Sequence, residues 1–320
     1  MNEQTATVLE RVLGQPARKL AQRVQSLWSG YGAIERWVML DGQRVIVKRI
    51  APPVEAQHPR GWHTDTGHQR KLKSYRIEQY WYQHFRSAEM AWPHCLGAEQ
   101  LDGTTYLILT DLDQQGFAQR PEAADDHHIA LCLGWLAEFH ARFLGHDSNG
   151  LWRQGGYWHL ETRQEEWQRM THLRLKAAAT DLDRALATAR WQTLVHGDAK
   201  LANFCFGNDK VAAVDFQYVG GGPGVVDLAY FLGSVFEGPQ LATRAQHWLD
   251  HYFSELMPKL TLTQSEALSL EAEWRRLYPV AVADFARFLD GWAPDHWKVN
   301  AYSLEMVERV LGEPKFFLAD

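Results

Sequence analysis

The chain has 320 residues, 46% of them hydrophobic and 22% charged, which is ordinary for a folded globular protein and enough for two core-bearing units. Its formal net charge of -6 argues against nucleic acid or an anionic membrane as the main partner, because both attract a basic surface. The three cysteines lie far apart without a CxxC pair, and neither a signal peptide nor an apolar run of about 18 residues occurs. The sequence therefore predicts a cytoplasmic protein without disulfides or a membrane span.

The first third of the chain has the pattern of strands followed by a helix. Residues 1–14 predict a short amphipathic helix. Two apolar runs flank the turn at Asp41-Gly42 and predict a β-hairpin, with strands at Arg36–Leu40 and Arg44–Ile50. Further along, the sequence predicts a loop over 51–67, a helix over 68–85 and a strand over 104–109.

After Asp111 the pattern becomes mostly helical. A long apolar helix is predicted over 129–143, a β-rich segment over 193–215 and further helices over 241–311. The sequence therefore predicts an α+β protein. A β-rich N-terminal lobe is expected at 1–111 and a larger helical C-terminal lobe at 112–320, with the linker near 110–116.

The segment from Leu194 to Asp215 carries the strongest chemical pattern. Asp198 follows His-Gly, Asn203 comes five positions later, and Asp215 ends the second strand of a predicted hairpin. Phosphoryl transfer needs a carboxylate that orients the acceptor hydroxyl and hard oxygen ligands for Mg²⁺. This order and spacing are typical of the catalytic and metal-binding loops of kinases. We therefore predict Asp198 as the catalytic base and Asn203 and Asp215 as Mg²⁺ ligands, although each short motif alone also occurs as ordinary turn residues.

Two lysines have the positions of phosphate-binding cations. Lys200 lies two residues after Asp198 and is predicted to reach the transferred phosphate, with a solvated loop lysine as the alternative. Lys48 ends an apolar strand, which is the position of the kinase lysine that holds the α- and β-phosphates of ATP. Glu78 falls on the apolar stripe of the following helix, with Leu72, Tyr75, Tyr82 and Phe85. Because a carboxylate on a buried stripe needs a cation, Lys48 is the predicted partner of Glu78.

A glycine-containing turn precedes the first hairpin. Gly30 and Gly32 are predicted to cover the nucleotide phosphates through backbone N–H groups. The segment is not a full G-x-G-x-x-G, and glycine turns before strands are common. No Walker A motif occurs, which excludes the ordinary P-loop nucleoside triphosphatases.

These motifs stand in the order found in the aminoglycoside phosphotransferase/choline kinase superfamily, and the chain resembles its ecdysteroid-kinase-like branch. The resemblance runs from Lys48 to about Ser234, through SYRIEQYWY, YLILTDL, LAEFHARF, GLWRQGGYW, HGDAKLANFCF and VDFQYVGGGPGVVDLAYFL. It implies a two-lobed protein-kinase-like fold, ATP and Mg²⁺ as cofactors and a small-molecule alcohol as acceptor. It also implies that backbone near Asp111 and Leu112 meets adenine and that Asp227 braces the catalytic loop. TDL in place of EDL and the short glycine turn depart from the family pattern.

Two other functional classes are alternatives to an active small-molecule kinase. A kinase-fold binding or regulatory protein without turnover is one, but such proteins usually lose the base, the metal-binding Asp or the Lys, and all are present here. A protein kinase fits poorly, because the sequence has DFQ instead of DFG and lacks an APE-type motif.

The acceptor is left open by the sequence. A polycationic aminoglycoside, a choline-like amino alcohol and an apolar alcohol such as a steroid or terpenoid all fit the 14 tryptophans. Candidate aromatic-cage residues are Trp152, Trp158, Trp274, Trp292 and Trp297, and candidate counter-charges are Asp284, Asp290 and Asp295. The same residues also fit a helical core and a solvated acidic face.

Overall fold

The computed structural model describes residues 2–27, 30–52 and 65–317, and these residues divide into two compact units. The first unit contains the described residues up to Gln119 together with Cys205–Gln217. The second contains Arg120–Phe204 and the described residues from Tyr218 onward. The first is built on a β-sheet and the second mainly on helices, so the predicted α+β class and the order of its two regions are confirmed.

The structure contains strands in both units, whose bounds follow in chain order. They are β1 (Ala17–Ser26), β2 (Gly32–Met39), β3 (Arg44–Ile50), β4 (Cys95–Leu101), β5 (Thr104–Thr110), β6 (Thr193–Val195), β7 (Phe204–Phe206), β8 (Val211–Ala213) and β9 (Gly220–Gly222). The helices are α1 (Asn2–Leu13), α2 (Asp65–His84), α3 (Asp126–Arg142), α4 (Gln164–Arg169), α5 (Leu173–Ala187), α6 (Val225–Val235), α7 (Gly238–Leu256), α8 (Gln264–Trp292) and α9 (Ala301–Gly312).

An antiparallel sheet in the order β1-β2-β3-β5-β4 forms the centre of the first unit. β3 pairs with β2 on one side and with β5 on the other, and its β-branched residues suit a central pleated strand. Lys48 therefore lies opposite Ile34 and Leu107, near the end of the most enclosed strand. Helix α1 covers one face of the sheet, where a fully buried cluster forms from Val8, Leu9, Trp37, Met39, Val45, Val47, Tyr106 and Ile108.

The short β7–β8 hairpin joins the first unit although it lies far along the sequence. Cys205 and Ala212 of the hairpin pack against Leu112 and Phe117, which follow β5. A backbone bond from Gln119 N–H to the Phe206 carbonyl at 2.9 Å ties the two segments together. This packing fixes the position of Asp215, which lies two residues after the end of β8.

Helices α3 to α9 form most of the second unit, and side-chain caps mark where several begin. Asp125 accepts a bond from the N–H of His128 at the start of α3. Thr263 and Glu266 form a capping box at the start of α8. The short strands β6 and β9 pair antiparallel and carry the segment that precedes the His-Gly-Asp motif.

Most predicted elements are confirmed, and the differences are local. The predicted helix over 68–85 begins at Asp65, so the last residues of the predicted loop over 51–67 are helical, while residues 53–64 of that loop lie outside the described residues. Strands β1 and β4 were not predicted, because β1 is largely polar and exposed and β4 mixes polar and apolar residues. The division between units falls after Gln119 rather than after Asp111, and it assigns the β7–β8 hairpin to the first unit, so the lobe boundaries stay a prediction.

None of the described helices combines the length and the apolar composition that crossing a membrane requires.

Candidate active site

In the first unit, Lys48 and Glu78 form a buried ion pair. The Lys48 Nζ lies 2.6 Å from Glu78 Oε2 and 2.8 Å from Oε1, so one ammonium group satisfies both carboxylate oxygens. The two residues are 3% and 2% exposed. β3 supplies the lysine and α2 supplies the glutamate, as their positions in the sequence predicted.

The neighbouring charges oppose the effect of burial on the pKa values of this pair. Burial raises the pKa of Glu78 to about 7, with Lys48 opposing that shift and Asp215 adding to it. Burial alone would lower the pKa of Lys48, but Glu78 and Asp215 together raise it above its ordinary value. Lys48 therefore stays a cation held between two carboxylates, which is a form suited to binding phosphate oxygens.

Asp215 lies in the same unit and has an unusual backbone conformation. Its φ of 68° is in the left-handed region that non-glycine residues rarely adopt. Its Oδ1 lies 3.6 Å from the Lys48 Nζ, and its N–H donates to the Tyr82 hydroxyl at 3.3 Å. The side chain is about one-third exposed, at 34%. A strained backbone that aims a partly exposed carboxylate next to a lysine is a frequent feature of functional sites.

Gln217 holds the Asp215 carboxylate in place. Its Nε2 donates to Asp215 Oδ1 at 2.6 Å, and its Oε1 accepts from Lys71 Nζ at 2.8 Å and from Ser74 Oγ at 3.2 Å. Gln217 is 5% exposed. A glycine at this position could make none of these bonds, so the glutamine of the DFQ motif connects α2 to Asp215. The sequence identifies DFQ only as a family signature and does not predict the hydrogen bond between Gln217 and Asp215.

The glycine turn has a packing requirement of its own. Gly32 has a φ of 136°, and a Cβ atom there would lie 1.9 Å from the Arg49 carbonyl oxygen. Gly30 has a φ of 74° and open space around it, and its N–H donates to the Leu27 carbonyl at 3.3 Å. Residues 28 and 29, and with them Ser29 of the predicted motif, lie outside the described residues. Nucleotide binding by this turn stays a prediction.

Asp111 and Leu112 lie immediately after β5 in a tightly bonded turn. The Asp111 carboxylate is buried and forms ion pairs with Arg36 at 2.9 Å and Arg44 at 3.2 Å. The Asp111 carbonyl accepts from Gln114 N–H at 3.1 Å, and the Leu112 carbonyl accepts from the N–H groups of the next turn. These bonds fix the backbone where the family resemblance places adenine.

In the second unit, Asp227 anchors the loop that carries the His-Gly-Asp motif. Its Oδ2 accepts from the backbone N–H of His196 at 2.6 Å, and its Oδ1 accepts from that of Gly197 at 2.9 Å. His140 Nε2 lies 3.1 Å from the same carboxylate, and its Nδ1 lies 2.7 Å from the Tyr252 hydroxyl. The carboxylate is fully buried, so these bonds replace its lost hydration.

Gly197 is the residue that lets this loop turn. Its φ is 77°, and a Cβ atom would lie 2.1 Å from the Tyr218 carbonyl oxygen and 2.6 Å from the Gly156 nitrogen. Any side chain would therefore push the loop off the backbone beside it. The glycine of His-Gly-Asp is needed for close packing.

Asp198 is held mainly through one carboxylate oxygen, and the Tyr230 hydroxyl also interacts with the carboxylate. Its Oδ2 accepts from Lys200 Nζ and from Asn203 Nδ2, both at 3.0 Å, and its backbone carbonyl accepts a second bond from Asn203 Nδ2 at 2.8 Å. Its Oδ1 is buried and accepts no hydrogen bond among the described residues. A buried carboxylate oxygen without a donor is costly, so a ligand that supplies a hydroxyl would satisfy it.

Asn203 presents its amide in one direction. Both bonds of its Nδ2 go to Asp198, and its Oδ1 accepts no hydrogen bond from the described residues. An amide oxygen in this position and the Asp215 carboxylate are both hard donors of the kind that Mg²⁺ prefers, so the residues fit a magnesium ion chemically. The two predicted ligands fall in separate units, Asn203 in the second and Asp215 in the first.

Aromatic residues lie beside Asp198, and sequence reasoning did not single out most of them. Burial and the Asp198 carboxylate raise the pKa values of Tyr157 and Tyr230. Trp158 packs on Tyr230 with ring centroids 4.9 Å apart, and Phe285 lies 5.2 Å from Tyr230. These residues come from separate parts of the chain, so no local pattern could have grouped them.

The proposed cage tryptophans and acidic counter-charges are mostly structural. Trp152 and Trp274 are buried at 2% and 0% exposure, and no cationic ligand could reach the faces of rings packed this deeply. Asp284 pairs with Arg287 at 2.7 Å, and Asp290 accepts from the N–H groups of Thr171 and His172.

Comparison with known proteins identifies the family to which the sequence is similar. The sequence profile of the phosphotransferase enzyme family (APH) matches residues 23–262. A comparison with curated protein sequences found no match.

Solved structures share the fold over nearly the whole chain. A thermostable mutant of aminoglycoside phosphotransferase APH(4)-Ia, in ternary complex with ADP and hygromycin B, is 13% identical with a TM-score of 0.54, covering 96% of this chain and 97% of that chain. Amicoumacin kinase hAmiN, in complex with AMP-PNP, Ca²⁺ and its ligand Ami, is 16% identical with a TM-score of 0.53, covering 98% and 93%. A fructosamine-3-kinase homologue from Thermobifida fusca is 17% identical with a TM-score of 0.54, covering 95% and 98%. At these identities the likeness establishes the fold, which is the predicted kinase-like one.

Proposed function

Because this chain belongs to the phosphotransferase enzyme family, we propose that it is a small-molecule kinase that transfers the γ-phosphate of ATP to a hydroxyl group of its acceptor. One observation carries the proposal: Asp198 is buried, its Oδ2 is held by two donors, and its Oδ1 has no donor among the described residues. A carboxylate oriented in this way is suited to accept a hydrogen bond from a hydroxyl group.

Asp198 acts as the catalytic base in this proposal. Its Oδ1 accepts the hydrogen bond of the acceptor hydroxyl and takes the proton as the new oxygen–phosphorus bond forms. The bond between the γ-phosphorus and the bridging oxygen of ATP breaks, and ADP leaves with that electron pair. Lys200, 3.0 Å from Asp198 Oδ2, orients the carboxylate and is proposed to bind the transferred phosphate.

The nucleotide is bound by residues of the first unit. Lys48, held by Glu78, binds the α- and β-phosphates, and Gly30 and Gly32 offer backbone to the phosphates. Backbone near Asp111 and Leu112 meets adenine. Two structural relatives contain ADP or AMP-PNP, which supports ATP as the donor.

Asn203 Oδ1 and the Asp215 carboxylate are the proposed ligands of Mg²⁺. When bound, the ion neutralises phosphate charge and fixes the orientation of the γ-phosphate. This chain's own contribution is to aim the two oxygens, through the bonds from Asn203 to Asp198 and from Gln217 to Asp215.

Within the family, we assign the chain to the ecdysteroid-kinase-like branch and to the cytoplasm as finer proposals. The DFQ motif and the order of segments around Glu78, Asp198 and Asp227 support the branch. Base, metal-binding Asp and Lys are all present, so a catalytically silent protein is treated as an outcome of the test below.

An ADP-release assay with MgATP and a panel of alcohols, amino alcohols, sterols and aminoglycosides tests the proposal. We expect turnover with one compound class and a loss of about 10³-fold in kcat for Asp198→Ala. MgATP should still raise the Tm of that variant. The matched control is Asp181→Ala on α5, a surface carboxylate that is 45% exposed and pairs with Arg184.

Two results would contradict the proposal. An Asp198→Ala variant with unchanged turnover would show that another group accepts the proton. A wild-type protein that neither turns over any member of the panel nor gains Tm with MgATP would be a binding or regulatory protein instead.

A further inference from the structure

Lys298 lies on the aromatic residues that surround Asp198. It occupies the turn between α8 and α9 and is half-buried. Its Nζ lies 4.5 Å from the ring centroid of Tyr230 and 5.5 Å from that of Phe285. The centroid of the exposed Trp297 ring lies 5.4 Å from the same Nζ. The aromatic faces nearest to Asp198 therefore already hold a cation that belongs to the protein.

The Asp198 carboxylate acts on the charge of this lysine from beyond ion-pair distance. Among the described residues, its Nζ makes no ion pair and no side-chain hydrogen bond. Burial lowers the pKa of Lys298 to about 8, with Asp198 raising it and Lys200 lowering it further. A half-buried ammonium group that packs on ring faces and has no ion-pair partner among the described residues is stabilised when an anion binds beside it.

Lys298 also lines a cavity in the second unit. Tyr278, Phe285 and Tyr302 contribute aromatic walls, and Asn300 and Ser303 contribute polar groups. The empty space is about 420 Å³ when the open mouth is included. Lys298 is the one charged residue among those that line it. Lys298 thus links two features, the surroundings of Asp198 and an apolar cavity with a single positive group.

We propose that Lys298 binds an anionic group of the acceptor, so that the substrate is an acidic alcohol bearing a carboxylate or phosphate. This inference rests on the proposed kinase function and narrows its acceptor class. The hydroxyl group is presented to Asp198, the apolar body lies along Tyr230 and Phe285, and the anionic group meets the Lys298 ammonium.

The same geometry disfavours cationic acceptors. An aminoglycoside or a quaternary amino alcohol would bring positive charge towards both Lys298 and Lys200, and like charges in a partly buried site repel strongly. The ring faces that could bind a quaternary ammonium group are occupied by Lys298.

Acceptors matched in shape and different in charge test the inference. One set is 4-(hydroxymethyl)benzoate, its methyl ester and 4-(hydroxymethyl)benzylamine. A second set is glycerol 3-phosphate, glycerol and 3-amino-1,2-propanediol. In the ADP-release assay, we expect kcat/KM to be at least tenfold higher for the anionic member of a set than for its neutral member, and lowest for the cationic member.

Variants of Lys298 separate anion binding from other roles. Lys298→Met should lower kcat/KM for the anionic acceptor at least tenfold and change that for the neutral acceptor less than threefold. Lys298→Glu should reverse the charge preference. Lys315→Met, at a lysine that is 59% exposed, is the control. If Lys298→Met lowers kcat/KM equally for all acceptors, Lys298 binds the transferred phosphate instead of the acceptor, and the inference is overturned.

The pH profile gives an independent readout. The charged groups that act on Lys298 are Asp198 and Lys200 of the catalytic loop, and its Nζ packs on the Tyr230 ring of α6 at 4.5 Å. Above a pH of about 8 the lysine loses its proton, so kcat/KM for the anionic acceptor should fall about tenfold per pH unit. Lys298→Arg should keep the anion preference and lose this fall, because arginine stays charged.

Failure of this inference differs from failure of the proposed function. Turnover confined to neutral or cationic members, or silence with every anionic member while MgATP still raises the Tm, overturns the acidic acceptor alone. Absence of both nucleotide stabilisation and turnover overturns the kinase function and the acceptor inference together.

Discussion

Glu78 in the first unit and Asp198 in the second are both buried carboxylates, and their surroundings differ in one respect. Both oxygens of Glu78 are bound by the single ammonium of Lys48, at 2.6 and 2.8 Å. The Asp198 Oδ2 accepts from Lys200 and Asn203 at 3.0 Å, whereas its Oδ1 has no donor within bonding distance among the described residues. Both oxygens of the Glu78 carboxylate are hydrogen-bonded within the protein, whereas the Asp198 carboxylate retains one oxygen without a donor among the described residues.

This difference separates residues that position from a residue that reacts. A carboxylate with both oxygens paired holds its partner in one place, and Lys48 gains a fixed position and charge from Glu78. A carboxylate with one paired oxygen keeps its orientation and can still take a proton from a ligand. We call Lys48–Glu78 the closed pair and the surroundings of Asp198 the open site. Substitutions that break the closed pair or disturb the open site should therefore have different effects.

The largest effect on stability is expected from breaking the closed pair. Glu78→Leu leaves the buried Lys48 without its main counter-ion, which should lower the free energy of unfolding by about 3–5 kcal/mol. Urea unfolding measures this loss. MgATP should no longer raise the Tm, because Lys48 is no longer held at its site.

The double variant Lys48→Met with Glu78→Leu sharpens the interpretation. An apolar pair of similar volume should restore most of the lost stability, since neither side chain then needs a partner. Nucleotide stabilisation should stay absent. Recovery of both stability and MgATP binding in the double variant would show that the pair is structural and has no part in binding the nucleotide.

A smaller loss is expected at the support of the open site. Asp227→Asn keeps the side-chain size but turns an NH₂ group towards one of the two N–H donors that the carboxylate accepts from, His196 and Gly197. Leaving buried donors unsatisfied should lower the free energy of unfolding by about 2–3 kcal/mol. It should also reduce kcat, because Asp198 follows directly on this loop. Asp209→Asn in an exposed turn is the control, and equal effects of the two changes on kcat would contradict this role.

The sequence predicted the Lys48–Glu78 pair because each residue sits on a regular element. The lysine lies at the end of an apolar strand and the glutamate lies on an apolar helical stripe. Because a buried carboxylate needs a cation, these two positions predict that the residues pair. The loop residues Asp198 and Asn203 followed from their spacing. Two local patterns and a physical requirement were enough for these residues.

Lys298 and the His140–Asp227 contact could not be predicted in the same way. They join residues far apart in the chain, and their roles depend on tertiary packing that no local period shows. Strands β1 and β4 were missed for a similar reason, because their pairing in the sheet outweighs a weak intrinsic pattern.

Gln217 gives the smallest predicted effect and tests how Asp215 is aimed. Gln217→Leu removes the 2.6 Å bond to Asp215 Oδ1 and the contacts to Lys71 and Ser74 on α2. A lost bond to a charged group amounts to about 1.5 kcal/mol, so the Mg²⁺ concentration for half-maximal activity should rise about tenfold. The Tm should fall modestly, because Lys71 and Ser74 lose an acceptor, and Gln100→Leu on the exposed side of β4 is the control. An unchanged Mg²⁺ dependence would mean that the left-handed backbone of Asp215 fixes the carboxylate without help from Gln217.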